Sequence, residues 1–353
     1  MKSERFEKMK TLLDTQKYFK LVCGAGNEDG EEVKRLAFIY ALAGAKGMDV
    51  SATPEVIRKC GEGLDEAFKY AEKLKIDLIT RPFIMASIGM PGDHHVRKAF
   101  IHEDPCIDCY ACIPVCPTDA IPESLIIIPE KCIGCGDCEA RCPIPNTITF
   151  AHNDKVLRDL LPECLDAGVE NFELHAAIAD DEAIMDEWAL VNEINPSGFN
   201  SMCLDRLHLS DFALEERIRK AKEIAGDRLI IQADGYPMSG GNDDFNTTLQ
   251  AVAIADIINK RFNIVDNPNP KRSKYKRQVQ VRLLLSGGTN SLTTVLADQN
   301  DVLWHGSAIG TFARNLVYPM IKQEGFWQND ELIKQAYLIA RKLVRENCGD
   351  INE

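Results

Sequence analysis

The chain has 353 residues, 45% of them hydrophobic, and a formal net charge of −13. That length buries one large core or two smaller ones. The acidic balance argues against nucleic acid and anionic membrane as partners, and no apolar run of about 20 residues is present to span a bilayer.

The charged start, Met1 to Lys8, leads into no apolar signal core, so a cytoplasmic location is expected. From there, short apolar runs alternate with amphipathic helical runs. Strands are expected at Tyr18–Gly24, Gly47–Ala52, Pro82–Gly89, Val169–His175, Phe199–Asp205, Arg228–Asp234, Val279–Leu285 and Asp301–His305, most of them rich in β-branched or large apolar residues. Helices are expected at Glu31–Ala43, Pro54–Leu74, Asp154–Ala167, Asp180–Asn195, Ala213–Ala225, Asp244–Asn259, Ser291–Ala297, Thr311–Met320 and Asp330–Glu346. Thr53 as N-cap and Pro54 at the first helical position mark the start of the second.

Strand–helix alternation implies parallel strands joined by crossover helices. Eight such units predict an α/β fold closed as a (β/α)8 TIM-like barrel, with an open doubly wound sheet as the alternative. The rhythm breaks after the third strand, where about residues 93–150 read as an inserted domain. The barrel is then divided into 1–92 and 151–323, and 324–353 form a C-terminal helical extension. An insert after a barrel strand lies on the C-terminal face, where sites are built. A second insertion, Ile264–Gln278, carries Lys271, Arg272, Lys274, Lys276 and Arg277. It reads as a docking patch for an acidic partner or as a solvated loop.

Eight of the thirteen cysteines fall within the insert in two runs. The first is Cys106-Ile-Asp-Cys109-Tyr-Ala-Cys112-Ile-Pro-Val-Cys116-Pro117. The second is Cys132-Ile-Gly-Cys135-Gly-Asp-Cys138-Glu-Ala-Arg-Cys142-Pro143. Both follow the bacterial ferredoxin pattern, in which the fourth cysteine of each run ligates the other cluster. Two [4Fe–4S] clusters are therefore expected, one on Cys106, Cys109, Cys112 and Cys142, the other on Cys132, Cys135, Cys138 and Cys116. Three thiolates spaced by two residues wrap three corners of a cube, and the crossed fourth ties the halves together. Zinc sites need more widely separated cysteine pairs. The remaining cysteines, Cys23, Cys60, Cys164, Cys203 and Cys348, are scattered and read as buried thiols.

The late strands are glycine-rich. Gly287, Gly288 and Thr289, then Gly306, Ser307 and Gly310, fit a phosphate cup of the type built after the last two strands of barrels, for FMN or another phosphorylated ligand at the mouth. Ligand-free tight turns are the competing reading. Polar residues fall at several strand ends, among them Lys20, Asn27, Asp49, Ser87, Asp205, Arg206, Gln232, Asp234 and His305. Glu173 and His175 lie two apart on one strand and point the same way, as a catalytic acid/base pair or a structural ion pair. His94 and His95 lie in the third loop, as electron or proton gates or as solvated histidines.

Several stretches resemble one family. Tyr18-Phe-Lys-Leu-Val-Cys-Gly-Ala25, Gly47-Met-Asp-Val50, Asp234-Gly-Tyr-Pro-Met-Ser-Gly240, Ser286-Gly-Gly-Thr-Asn290 and Gly306 to Arg314, with the paired cysteine runs, look like the cyanobacterial light-dependent period protein family, LdpA. The resemblance covers nearly the whole chain. It implies an iron–sulfur protein that reports cellular redox state to the circadian clock through clock or clock-input partners. Against that stands an oxidoreductase, in which the clusters feed electrons to a flavin or substrate at the barrel mouth.

Overall fold

The computed structural model describes residues 3–24, 29–89, 98–129, 131–132, 134, 136–151, 157–176, 178, 180–206, 209–235, 243–262, 281–287 and 289–349. In chain order the strands are β1 (Phe19–Val22), β2 (Gly47–Ser51), β3 (Phe83–Gly89), β4 (Lys98–Ile101), β5 (Ile148–Ala151), β6 (Asn171–His175), β7 (Asn200–Leu204), β8 (Leu229–Gly235), β9 (Arg282–Gly287) and β10 (Gly306–Ile309). The helices are α1 (Glu4–Asp14), α2 (Gly30–Ala43), α3 (Pro54–Leu74), α4 (Asp137–Arg141), α5 (Leu157–Asp166), α6 (Asp181–Ile194), α7 (Asp211–Ala225), α8 (Asp244–Phe262), α9 (Thr293–Gln299), α10 (Thr311–Ile321) and α11 (Asp330–Cys348).

Eight strands close into a parallel barrel in the order β1-β10-β9-β8-β7-β6-β3-β2. Sequential neighbours pair throughout except across the insert, where β3 pairs directly with β6. The insert begins and ends on its own antiparallel pair, Lys98↔Ala151 to Ile101↔Ile148. The ribbon fastens the two chain ends of the insert to each other, so the excursion leaves the barrel register undisturbed.

Alternate residues of a barrel strand face the interior. At the amino end that interior is apolar: Tyr18, Phe83, Met85, Phe199, Ile230 and Leu284 form one buried cluster. Helix α1 closes it from below with Phe6, Met9 and Leu13, and Phe6 stacks on Phe199 at 4.4 Å between ring centroids. Ser3 caps α1 by accepting from the Phe6 amide, and Arg5 fixes the helix to Glu170 and to the Arg81 carbonyl. This helix was not expected from sequence.

Several sequence boundaries shift by one to three residues, and the eighth strand moves farther. The eighth strand is Gly306–Ile309, not Asp301–His305. Asp301 takes a left-handed turn at φ 55°, and the strand begins where the Ser307 amide donates to the Tyr18 carbonyl. The seventh strand runs Arg282–Gly287 rather than stopping at Leu285. Helix α3 starts at Pro54 and ends at Leu74, as the N-cap and proline signals indicate. The expected basic insertion 264–278 lies outside the described residues, as do Asn27, His94 and His95.

Candidate functional site

The insert is built around sulfur. Ala99, Ala120, Ile121 and Ile148 share a small apolar core with Cys112, Cys132 and Cys138. Cys116, from the first run, lines one cavity with Cys132 and Cys138 from the second, together with Pro117, Gly134 and Gly136. Cys135 lies outside the described residues. On the other side Cys112 is close enough to Cys109, Cys106 and Cys142 to be acted on by their charges; burial, then these neighbours, pushes its thiol pKa up. Among the described residues, Cys116 of the first run thus stands with Cys132 and Cys138 of the second, and Cys142 of the second run acts on Cys112 of the first.

The two loops repeat a backbone. Two and four residues after the first cysteine, Asp108 and Tyr110 in one run and Gly134 and Gly136 in the other all have positive φ, at 49°, 58°, 65° and 93°. Left-handed residues interrupt any local helix and turn successive amides toward the concave side of the loop. The amides of Ala120 and Ala99 already donate to Cys116 Sγ at 3.2 Å and Cys132 Sγ at 3.4 Å. Such bonds stabilise thiolate. With all-sulfur donors, paired runs and a shared cavity, these residues fit iron–sulfur clusters. A cluster held here would supply one-electron chemistry, at a potential tuned by these hydrogen bonds and by solvent exposure. Exposure varies among these cysteines: Cys109 is exposed, whereas Cys112, Cys132 and Cys138 are buried.

A second polar centre fills the barrel. Two residues above the apolar floor, strand after strand changes character: Tyr18 gives way to Lys20, Met85 to Ser87, Phe199 to Ser201, Ile230 to Gln232 and Leu284 to Ser286. Lys20 Nζ, fully buried, lies 2.5 Å from Asp49 and 2.6 Å from Glu173. Ser87 donates to Asp49, and Gln232 Nε2 donates to Glu173 Oε1 at 2.6 Å. His175 Nε2 stands 3.4 Å from the same oxygen. Burial alone would raise the Glu173 pKa, but Lys20 and then His175 outweigh it and hold the group ionised. Asp49 is raised by burial and by the Glu173 charge, Lys20 opposing. Burial likewise pushes Asp234 up to about 6.

Glu173 and His175 thus share the lumen, and Glu173 is braced by three partners. Sequence reasoning missed Cys203, which it grouped with the scattered thiols. Its thiol donates to Asp234, and it pairs in register with His175. Its alternation with Phe199 and Ser201 along β7 is the signal that would have placed it inside.

The glycine-rich stretches divide. Gly306 and Ser307 do not lie in a mouth loop: both belong to β10. A Cβ on Gly306 would meet the Tyr18 carbonyl oxygen at 2.5 Å, and Ser307 is buried against Cys348 of α11. His305 falls just before this strand, at the amino end, where its Nδ1 accepts from the Leu283 amide. Gly287 does end β9, at φ 92°. Gly288 lies outside the described residues. Thr289 is fully buried, with its hydroxyl 3.3 Å from the Ala308 carbonyl. Gly310 is the N-cap of α10 and supplies no side-chain cap.

A closed parallel barrel with an iron–sulfur ferredoxin-type segment after its third strand defines an iron–sulfur redox protein. Residues 99–121, which hold the first cysteine run, match the 4Fe-4S binding domain family. The light dependent period A protein of Synechococcus elongatus is 31% identical over 347 residues, covering 93% of this chain and 90% of that protein. The chain belongs to the light-dependent period A family. More locally, pyruvate synthase subunit PorD of Methanothermobacter marburgensis is 40% identical over 53 residues, 15% of this chain and 65% of its own length. A ferredoxin of Streptomyces griseus is 44% identical over 50 residues, 13% of this chain and 48% of that protein. Among solved structures, the YdjI aldolase of Escherichia coli K12 covers 100% of this chain and 99% of its own at 9% identity, with a TM-score of 0.48. Among the described residues no helix is long and apolar enough to cross a membrane.

Proposed function

We propose that this protein is a two-cluster redox relay, holding one [4Fe–4S] cluster on Cys106, Cys109, Cys112 and Cys142 and the other on Cys132, Cys135, Cys138 and Cys116. The observation that carries this reading is the crossover, with Cys116 lining one cavity with Cys132 and Cys138 and Cys142 near enough to Cys112 to act on it electrostatically. A single-cluster protein would have no use for the exchange. The exposed Cys109 offers a place for a redox partner to approach. The name of the Synechococcus relative points to a timing system as the recipient of the redox signal, so a clock-input protein is the proposed partner. A reducing compartment such as the cytoplasm would keep these thiols available as ligands.

The test is anaerobic purification with iron and acid-labile sulfide analysis, followed by reductive titration. About eight irons per chain and reversible reduction are expected. About four irons, or clusters that cannot be reduced reversibly, would overturn the relay.

A second reading, an FMN-dependent oxidoreductase, draws on the uncapped start of α10 at Gly310 and on Arg314 in its first turn. Thr289 and Asn290 are spent on internal bonds to the Ala308 carbonyl, Thr248 and Asp244, which leaves this reading second. Flavin absorption in the purified protein would promote it.

A further inference from the structure

We infer that Glu173, His175 and Cys203, with Asp234 beside them, form a binding site for one borderline-soft divalent cation, zinc or ferrous iron, in the mouth of the barrel. The site is separate from the eight cluster cysteines and uses a thiol outside both ferredoxin runs.

The geometry comes first. One donor atom each from Glu173, His175 and Cys203 lies within 4.8 Å of the others, a spread that a tetrahedral ion with ligand distances of about 2.0–2.3 Å closes with small side-chain shifts. Glu173 and His175 stand two apart on β6, and Cys203 faces His175 across the β6–β7 register. Asp234 on β8 accepts a hydrogen bond from Cys203 and so stands beside the three-donor group without belonging to it. Glu173 is oriented by division of labour: Oε2 takes the Lys20 ammonium, while Oε1 faces Gln232 and His175.

Charge and satisfaction point the same way. Lys20 pairs with Asp49 and Glu173, and Asp234 is a third carboxylate in the lumen; all three acids are at least nine-tenths buried. A buried carboxylate is costly unless it is paired or coordinates a metal. Asp234 Oδ1 and Gln232 Oε1 are buried and accept no hydrogen bond within the described structure. A purely structural network would satisfy them. A bound cation or the water it carries would do so here.

The donor set selects the ion. Thiolate with imidazole and carboxylate suits zinc or ferrous iron, whereas magnesium and calcium prefer all-oxygen cages. Binding exchanges the Cys203 proton for the metal: the S–H bond breaks, a metal–sulfur bond forms, and one proton leaves to solvent. No electron is transferred.

The test uses the anaerobic holoprotein, freed of loosely held metal by a mild chelator with its clusters intact, then titrated with zinc chloride. X-ray absorption at the zinc edge is blind to the cluster iron. One zinc per chain is expected, with a single sulfur at about 2.3 Å and lighter nitrogen and oxygen neighbours. Cys203→Ser should remove the sulfur signal and weaken zinc binding at least about tenfold. His175→Gln, at the rim where the side chain is part exposed, should weaken binding about as much with iron and sulfide content unchanged. Zinc surrounded by sulfur alone, zinc binding indifferent to both variants, or no zinc bound would each overturn the assignment.

Discussion

Lys20 and Glu173, 153 positions apart in the chain, meet at 2.6 Å inside the barrel, and neither side chain is more than 1% exposed. The pair spans from the first barrel strand to the fourth. Removing the ammonium leaves Glu173 and Asp49 buried as uncompensated carboxylates. Lys20→Met is therefore expected to cost about 3–5 kcal/mol, read as a lowered urea midpoint at pH 7. Adding Glu173→Gln should recover part of that loss. A Lys20→Met protein as stable as the parent would mean that water reaches the pair.

The crossover makes a prediction that four separate local ligands would not. Cys116→Ala should empty the site formed with Cys132, Cys135 and Cys138, and Cys142→Ala the site formed with Cys106, Cys109 and Cys112. Each single variant should retain about half the iron. Combining Cys116→Ala with Cys132→Ala should cost no more iron than either change alone. Progressive loss in the double variant would place the two cysteines at different clusters.

Helix contact sets a tight limit at Gly63. On α3, a Cβ there would stand 2.2 Å from the Lys34 carbonyl oxygen and 3.1 Å from Ala37 Cβ of α2. Alanine gains up to about 1 kcal/mol of helix propensity. Forcing two backbones apart costs about 1–3 kcal/mol or more. Gly63→Ala is expected to destabilise by about 2 kcal/mol net in denaturant unfolding, and a stabilised variant would show that the helices slide freely.

His305 should govern part of the acid response. Burial, with Arg282 adding to it, lowers its pKa from 6.5 to about 4. Its neutral Nδ1 accepts the Leu283 amide. Because the folded pKa lies below the unfolded one, protonation favours the unfolded chain. The stability this histidine contributes is present above about pH 6.5 and is lost as pH falls through about 4. At about 1.36 kcal/mol per pKa unit, the span is on the order of 3 kcal/mol. His305→Gln should flatten the stability profile between pH 6.5 and 4. An unchanged slope would exclude the group.

The floor of the barrel depends on α1. Phe6 is 4% exposed and stacked on Phe199. Phe6→Ala should cost about 3–5 kcal/mol in urea unfolding, with iron content unaffected because the cysteines sit at the opposite end. A loss of iron alongside stability would mean that the insert and the floor are coupled.

What the sequence determined by itself is chemistry held in local spacing. The cysteine runs announce an iron–sulfur binding segment because three donors two residues apart need no distant partner to be recognised. The eight strand–helix units, and the start of α3 at Thr53-Pro54, are equally local, resting on period and capping. Tertiary structure decided whatever depends on closure. The last strand falls on Gly306–Ile309 rather than on the more apolar Asp301–His305, because β1 and β9 must both be paired and their register admits that segment. The same closure moved Gly306 and Ser307 out of the proposed phosphate cup and His305 to the floor. It buried α1, whose role exists only once a ring of apolar side chains needs a lid. It also turned Cys203, a lone thiol in the sequence, into a neighbour of Glu173, His175 and Asp234. A strand's inward face is written in its alternation, but which strands stand side by side is settled only when the sheet meets itself.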